Sequence, residues 1–338
     1  MKRDTQLVIL AFAVAGLLVA AAYTAAESGE WPALEHGVLS TVSAPAAGAP
    51  AHPAAKASDN RALDTAKIEN LTGVKGKYDI NEQTFRVSEP RGDLRVFAEG
   101  VRVTPAMGLE SWAAFRSLGR STLATAAFTL AENEVNPVLT VALDNGLDVV
   151  SLHNALLGDS PRIMTLRIEG AGDQFAMAAA IGKVFGEIKA AHREPLERAA
   201  IDPARTRLDI AKLQTILRER GALNEGVYKF VSARQVDVAG KPIGADMGVG
   251  DWAAFIGSDE RAVVSGGFAV PRSALRLVLQ ALRGSNIEIA SIDQHMTDDK
   301  PRMLYVDFWG VGSAENLAKG LRAALDHAGP SPVATAMK

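Results

Sequence analysis

The chain has 338 residues, with 36 basic and 39 acidic side chains, 48% hydrophobic residues and no cysteine. At roughly 150 residues per domain this length suggests about two domains, and the hydrophobic share is enough for an ordinary core, which excludes wholesale disorder. The formal net charge of −3 argues against nucleic acid as a partner, and the missing thiols exclude disulfides, thiolate metal sites, iron–sulfur clusters and a cysteine nucleophile.

Lys2 and Arg3 precede a run without charge at 5–26, almost wholly apolar over 7–22. A basic start followed by such a run reads as an export signal, and its length also suits an uncleaved span with the two cations inside. Residues 1–26 are therefore expected to be a signal peptide or N-terminal membrane anchor. The protein is expected in the periplasm or cell envelope, either free or in contact with the inner membrane. No cysteine follows the run, so lipid cannot be attached at a lipobox. Residues 27–62 read as a linker, because Ser43-Ala-Pro-Ala-Ala-Gly-Ala-Pro-Ala-His-Pro-Ala-Ala-Lys56 has no apolar period with which to offset its ordering entropy.

Beyond the linker the chain repeats itself. Met107-Gly-Leu-Glu-Ser-Trp-Ala-Ala-Phe115 returns as Met247-Gly-Val-Gly-Asp-Trp-Ala-Ala-Phe255, 140 residues later. The same offset carries Phe128 onto Phe268, Pro161-Arg162 onto Pro301-Arg302, and Gly170 and Gly172 onto Gly310 and Gly312. An ordered series of this kind marks a duplicated unit. Repeat one is placed at 63–190, a connector with breakers Pro195 and Pro203 at 191–205, repeat two at 206–328, and a flexible tail at 329–338.

The two copies check each other's secondary structure. Val135, Val138, Leu139 and Ala142, matched by Leu275, Val278, Leu279 and Leu282, recur at helical spacing after Asn133 and Ser273, which are expected to cap these helices. Asp173 and Ser313 are expected to cap a second pair, whose apolar faces run through Ile181, Val184 and Phe185 and through Leu317, Leu321 and Leu325. Strands are expected at 121–130, 147–153 and 163–169, at 262–270, 287–293 and 303–309, and earlier around Phe85, Val96 and Val103. In the last pair Met164, Leu166 and Ile168 alternate with Thr165, Arg167 and Glu169, so one face meets the helices. The expected fold class is α+β: two tandem homologous units, each an antiparallel-rich sheet with helices packed on one face.

Polar groups concentrate in the matched hairpins Ser151-Leu-His153-Asn154 to Pro161-Arg162 and Ser291-Ile-Asp293-Gln294-His295 to Pro301-Arg302. Together with Trp112-Ala-Ala-Phe115, Glu134-Val-Asn-Pro-Val138 and Phe308-Trp309-Gly310, these residues make the sequence similar to the LppY/LpqO family, exported bacterial proteins built from a duplicated domain of unknown function. The resemblance covers about 63–328. It implies a His-Asn-His or His-x-His step before the Pro-Arg and a further His on the next strand. This chain departs from that pattern, with His153, Ala155 and Arg167 in copy one and Asp293, His295 and Asp307 in copy two.

Residues i and i+2 of a strand share a face, and a neighbouring strand can add a third ligand. Asp293, His295 and Asp307 are thus the candidate set for a divalent metal such as zinc, and the favoured alternative is a hydrogen-bonded, partly exposed polar hairpin. Arg162 and Arg302 are read either as anion clamps or, as we favour, as structural partners of a nearby acid such as Asp159 or Asp299. Gly170-x-Gly172 and Gly310-x-Gly312 lack the third glycine of a dinucleotide fingerprint and read as strand–helix turns. Trp112, Trp252, Phe115 and Phe255 are expected in the core or between copies, with stacking on a sugar ring as the other reading. The ligand-binding candidates are His153, Asn154, Arg162 and Arg302. The function expected is an envelope binding or interaction module for an unknown ligand or protein. The alternative is a divalent-metal-dependent, hydrolase-like enzyme with a degenerate His/Asp site.

Overall fold

The structure, a computed structural model, describes residues 62–190 and 200–329. The signal or anchor at 1–26, the linker up to residue 61, residues 191–199 of the connector and the tail from 330 lie outside the described residues.

Repeat one runs α1 (Thr65–Thr72), β1 (Gly76–Asp79), β2 (Thr84–Pro90), β3 (Phe97–Ala98), β4 (Val101–Arg102), β5 (Glu110–Ser117), β6 (Thr122–Ala131), α2 (Glu132–Asp144), β7 (Asp148–Asn154), β8 (Asp159–Ser160), β9 (Ile163–Gly172) and α3 (Gln174–Ala190). Repeat two runs α4 (Ile210–Leu217), β10 (Gly221–Asn224), β11 (Val227–Ala233), β12 (Val236–Val238), β13 (Lys241–Ile243), β14 (Gly250–Gly257), β15 (Ala262–Pro271), α5 (Leu275–Gly284), β16 (Ile287–Asp293), β17 (Met303–Gly312) and α6 (Ala314–Ala328).

Helix starts follow local chemistry. Asp64 and Asp209 each accept the backbone N–H three residues on, at 3.0 Å, and so open α1 and α4. Asp173 and Ser313 cap α3 and α6 as the sequence predicts. Asn133 and Ser273 do not cap. The helix α2 begins earlier, and Glu134 reaches back to the Ala131 N–H at 2.9 Å. Ser273 lies inside a 3-10 turn, Arg272–Ala274, that leads into α5. In copy one the strand runs straight into the helix, and in copy two the 3-10 turn takes up the capping position.

The repeats do not make two separate sheets. Twelve strands form one sheet in the order β1-β2-β5-β6-β9-β7-β16-β17-β15-β14-β11-β10, each neighbouring pair being antiparallel. The order reads the same from either end once each strand is matched with its copy, so a pseudo-twofold axis passes between β7 and β16. There Leu152 pairs with Ile292. One sheet face bears Phe115, Phe128, Leu166, Phe255, Phe268 and Val306, in a single core cluster to which all six helices contribute. Fully burying such side chains contributes about 1.5–3 kcal/mol each, and this continuous layer binds the halves together. The other face carries the alternate residues and is covered only in part, by the small β3–β4–β8 and β12–β13 sheets, under which Ile163, Ala269 and Met303 are buried in two further clusters.

Candidate functional site

Matching β-bulges interrupt β7 between Val149 and Ser151 and β16 between Ile289 and Ser291. A bulge bends its strand, and the β7–β16 seam opens at both ends into clefts related by the pseudo-twofold. The first, a cavity of about 210 Å³, is lined by Glu132, Asn136, Asn154, Arg162, Glu288 and Trp309. Its mate, of about 420 Å³, is lined by Asp148, Glu169, Arg272 and Arg276.

The two clefts have diverged in charge. In the second, Arg272 binds Glu169, and Arg276 Nη2 lies 2.7 Å from Asp148 Oδ1, so its charges are consumed internally. In the first, the counterparts are Glu132, Asn136, Trp309 and Glu288. Asn136 Oδ1 accepts the Ile289 N–H at 2.8 Å, and its amide nitrogen donates to Ile289 O at 3.4 Å, tying helix α2 of one repeat to strand β16 of the other. Arg162 Nη1 stands 3.7 Å from Glu132, both half exposed. Trp309 is 44% exposed, an unusual state for an indole on a cleft wall. Asn154 and Arg162, both predicted as ligand-binding residues, meet in this cleft.

The other predicted site residues are placed elsewhere. His153, Asp293 and Asp307 emerge on the open sheet face, beside the buried Leu152–Ile292 pair. His153 Nδ1 lies 3.0 Å from Asn154 O, and His295 Nε2 lies 2.9 Å from Met247 O. A carbonyl only accepts, so each of these nitrogens carries the proton. Asp307 Oδ2 accepts from Ser291 Oγ at 2.7 Å. Burial, and then the neighbouring Asp307, push the Asp293 carboxyl above its usual range, while His295 pulls it down. Among the described residues no three His, Asp or Glu side chains converge as metal ligands. The expected Asp293–His295–Asp307 set is therefore not assembled, because the His295 ring turns to the Met247 carbonyl and packs edge-on to Tyr305 at 5.1 Å.

Two further expectations are corrected. Arg162 pairs with a nearby acid, but it is Glu132 and not Asp159, and Arg302 does not pair with Asp299. The Asp159 and Asp299 carboxylates accept the Ile163 and Met303 N–H groups at 2.6 and 2.7 Å, closing the hairpin loops, and Arg302 donates to Thr297 O at 3.0 Å. Phe115 and Phe255 are core residues, but Trp112 and Trp252 are not. Strand alternation puts both indoles on the open face, where Arg86 lies 4.0 Å from the centre of the Trp112 ring and Lys229 4.7 Å from that of Trp252.

Sequence reasoning missed one buried arginine in each half. The Arg91 and Arg234 N–H groups bind Leu109 O and Val249 O, which are 140 residues apart. Arg91 forks onto Glu134 at 2.8 and 2.9 Å and also holds Asp93. Arg234 Nε donates to Asp251 at 2.7 Å, and its Nη1 donates to the last carbonyl of α6, Ala328 O at 3.2 Å, and to that of the capping Gly329 at 3.3 Å. The carboxylate has moved from helix to strand between copies: Glu134 corresponds to Ala274, and Asp251 to Ser111. The one legible signal was an acid appearing at only one of two matched positions. These pairs are buried and built for structure.

The chain belongs to the family described as Domain of Unknown Function (DUF1259), which matches it twice, over residues 66–187 and 211–327. Both matches fall within the repeats read from the sequence. No curated protein matches the chain. Among solved structures it is similar to a trimeric bacterial microcompartment shell protein, PduB, at 9% identity over 75% of this chain and 89% of that one. The TM-score of 0.18 is too low for that likeness to bear on fold or function.

Proposed function

We propose that this chain is an exported cell-envelope binding module of the LppY/LpqO kind, and that the seam cleft beside Trp309 takes a small polar ligand. The observation that carries this reading is the asymmetry of the paired clefts. Duplication supplies two equivalent pockets, one neutralised by its own ion pairs and the other keeping an exposed indole wall, the Asn154 amide and a loosely held Arg162–Glu132 pair. An aromatic wall with a few convergent polar groups is the usual makeup of a small-molecule site. Export is supported by the basic start and uncharged run at the N-terminus. Among the described residues no helix is long and apolar enough to cross a membrane, so anchoring in the inner membrane rests on 1–26 alone.

The test is a thermal-shift and calorimetric panel of envelope-derived muropeptides, oligosaccharides and amino acids. The expected result is saturable binding by at least one compound, lost in Trp309→Ala and weakened in Arg162→Ala, but unchanged in Arg276→Ala of the mate cleft. No saturable binding by any compound, or equal loss in Arg276→Ala, overturns it.

A further inference from the structure

The open face holds a third cleft, far along the sheet from the seam, of about 460 Å³. Its shape follows from register. Ala114 is the low point, with Trp112 and Arg116 two residues to either side on β5, Arg86 opposite on β2 and Thr125 opposite on β6. A methyl group among four larger side chains leaves a hollow. Lys77, paired with Arg86 on β1, closes the outer rim.

The charges around it are not equivalent. Arg86 lies over the Trp112 ring and is held by Glu110 at 2.9 Å. Asp79 Oδ1 accepts the backbone N–H groups of Asn81 and Glu82, at 2.8 and 3.0 Å, and the Glu82 carboxylate also lines the cleft, so an acidic ligand has to enter on the Lys77 and Arg116 side. Lys77 and Arg116 make no ion pair with the described residues, so two free cations face a hollow floored by an alanine and walled by an indole. The second repeat supplies an internal control. The same positions there hold Ala254, Trp252 and Lys229, but Ala222 stands for Lys77 and Ile256 for Arg116. The aromatic and its stacked cation are common to both copies, and the two free cations belong to the first alone.

We infer that the Trp112 cleft is a binding site for an acidic sugar, a pyranose ring carrying a carboxylate. The ring packs against the indole and the Ala114 methyl, Thr84 and Thr125 offer hydroxyls, and the carboxylate is taken by Lys77 and Arg116 through charge-assisted hydrogen bonds. The inference does not depend on the seam cleft.

The experiment titrates the protein with galacturonic and glucuronic acid oligomers, and with neutral glucose oligomers of the same length, by calorimetry at two salt concentrations. Saturable binding of an acidic oligomer is expected, weakening as salt rises. Each lost charge contact is expected to reduce affinity about tenfold, equivalent to about 1.4 kcal/mol. A variant carrying Lys77→Ala and Arg116→Ile, the second repeat's own residues, should therefore lose acidic-sugar binding without change in thermal stability. Trp112→Ala should abolish it, and Trp309→Ala should leave it intact. Equal affinity for neutral and acidic oligomers, an unaffected Lys77/Arg116 variant, or no saturable binding of acidic oligomers overturns the inference. Loss in Trp309→Ala would move the ligand to the seam and overturn it equally.

Discussion

Leu152 pairs across the seam with Ile292, its own counterpart in the other repeat, and both side chains are fully buried. A position that meets its own copy is the signature of an isologous twofold contact, here joined within one chain. This makes the seam sensitive to charge. Leu152→Asp places an unpaired carboxylate in a joint core and is expected to cost several kcal/mol or prevent folding. Leu152→Met conserves volume and is expected to cost less than about 1.5 kcal/mol. Urea denaturation compares them, and similar midpoints would show that the seam is not packed as described.

Asp251 gives the protein a pH dependence of definite sign. Burial pushes its carboxyl up to about 6, against the pull of Arg234 and of the Ala269 N–H it accepts. The folded state therefore holds a proton that the unfolded chain releases near its ordinary value of 3.8. The resulting stabilisation is complete below about pH 4 and is lost as pH rises through about 6, by on the order of 3 kcal/mol. Melting temperatures of the wild type and Asp251→Asn across pH 4–7 should show the wild type gaining on the variant toward acid. A constant difference would refute this.

Gly182 lies where α3 crosses the end of α1, and a Cβ there would fall onto the Leu71 carbonyl. Its counterpart in α6 is Arg322, whose Nη1 donates to Leu217 O at 2.7 Å and caps α4 instead. One copy meets the small helix by close backbone approach, the other by a long cation. Gly182→Ala gains about 1 kcal/mol of helix propensity, but the rigid backbone opposite cannot yield, and such overpacking costs about 1–3 kcal/mol. The net expectation is a lower denaturation midpoint. A raised midpoint would mean that α1 moves freely.

Export is tested without the folded part. Residues 1–26 fused to alkaline phosphatase, which is active only outside the cytoplasm, are expected to give active enzyme. Replacing Leu17 and Leu18 by Arg, which breaks the apolar run, should abolish it. Activity that survives this change would exclude the segment as an export signal.

Much of the architecture was legible because duplication prints each pattern twice. Strand alternation at Met164–Leu166–Ile168 and Leu304–Val306–Phe308 fixes the buried face in both copies, and all six side chains are buried. The site was less legible. Asn154 and Arg162 stood out as polar residues in a matched hairpin, but Trp309 read only as part of the Phe308-Trp309-Gly310 segment that carries the family resemblance, with no place in a site. The metal set failed because strand spacing gives a face and not a rotamer: the His295 ring settles on a backbone carbonyl that no sequence period locates. Trp112 and Trp252 were misplaced because they were read together with Phe115 and Phe255, whereas the odd spacing from those residues on the same strands sends the indoles to the other side.

The sequence by itself determined the doubled α+β unit, its helix and strand faces and the composition of its matched corners, since these rest on local periodicity and the chain's own self-similarity. Only the tertiary structure decided that the two units share one twelve-stranded sheet, that the seam opens into two clefts of opposite character, and that Ala114 lies at the bottom of a charged hollow. Those outcomes depend on which strand edges meet and in what register, and edge pairing is a long-range choice set by the joint burial of both halves.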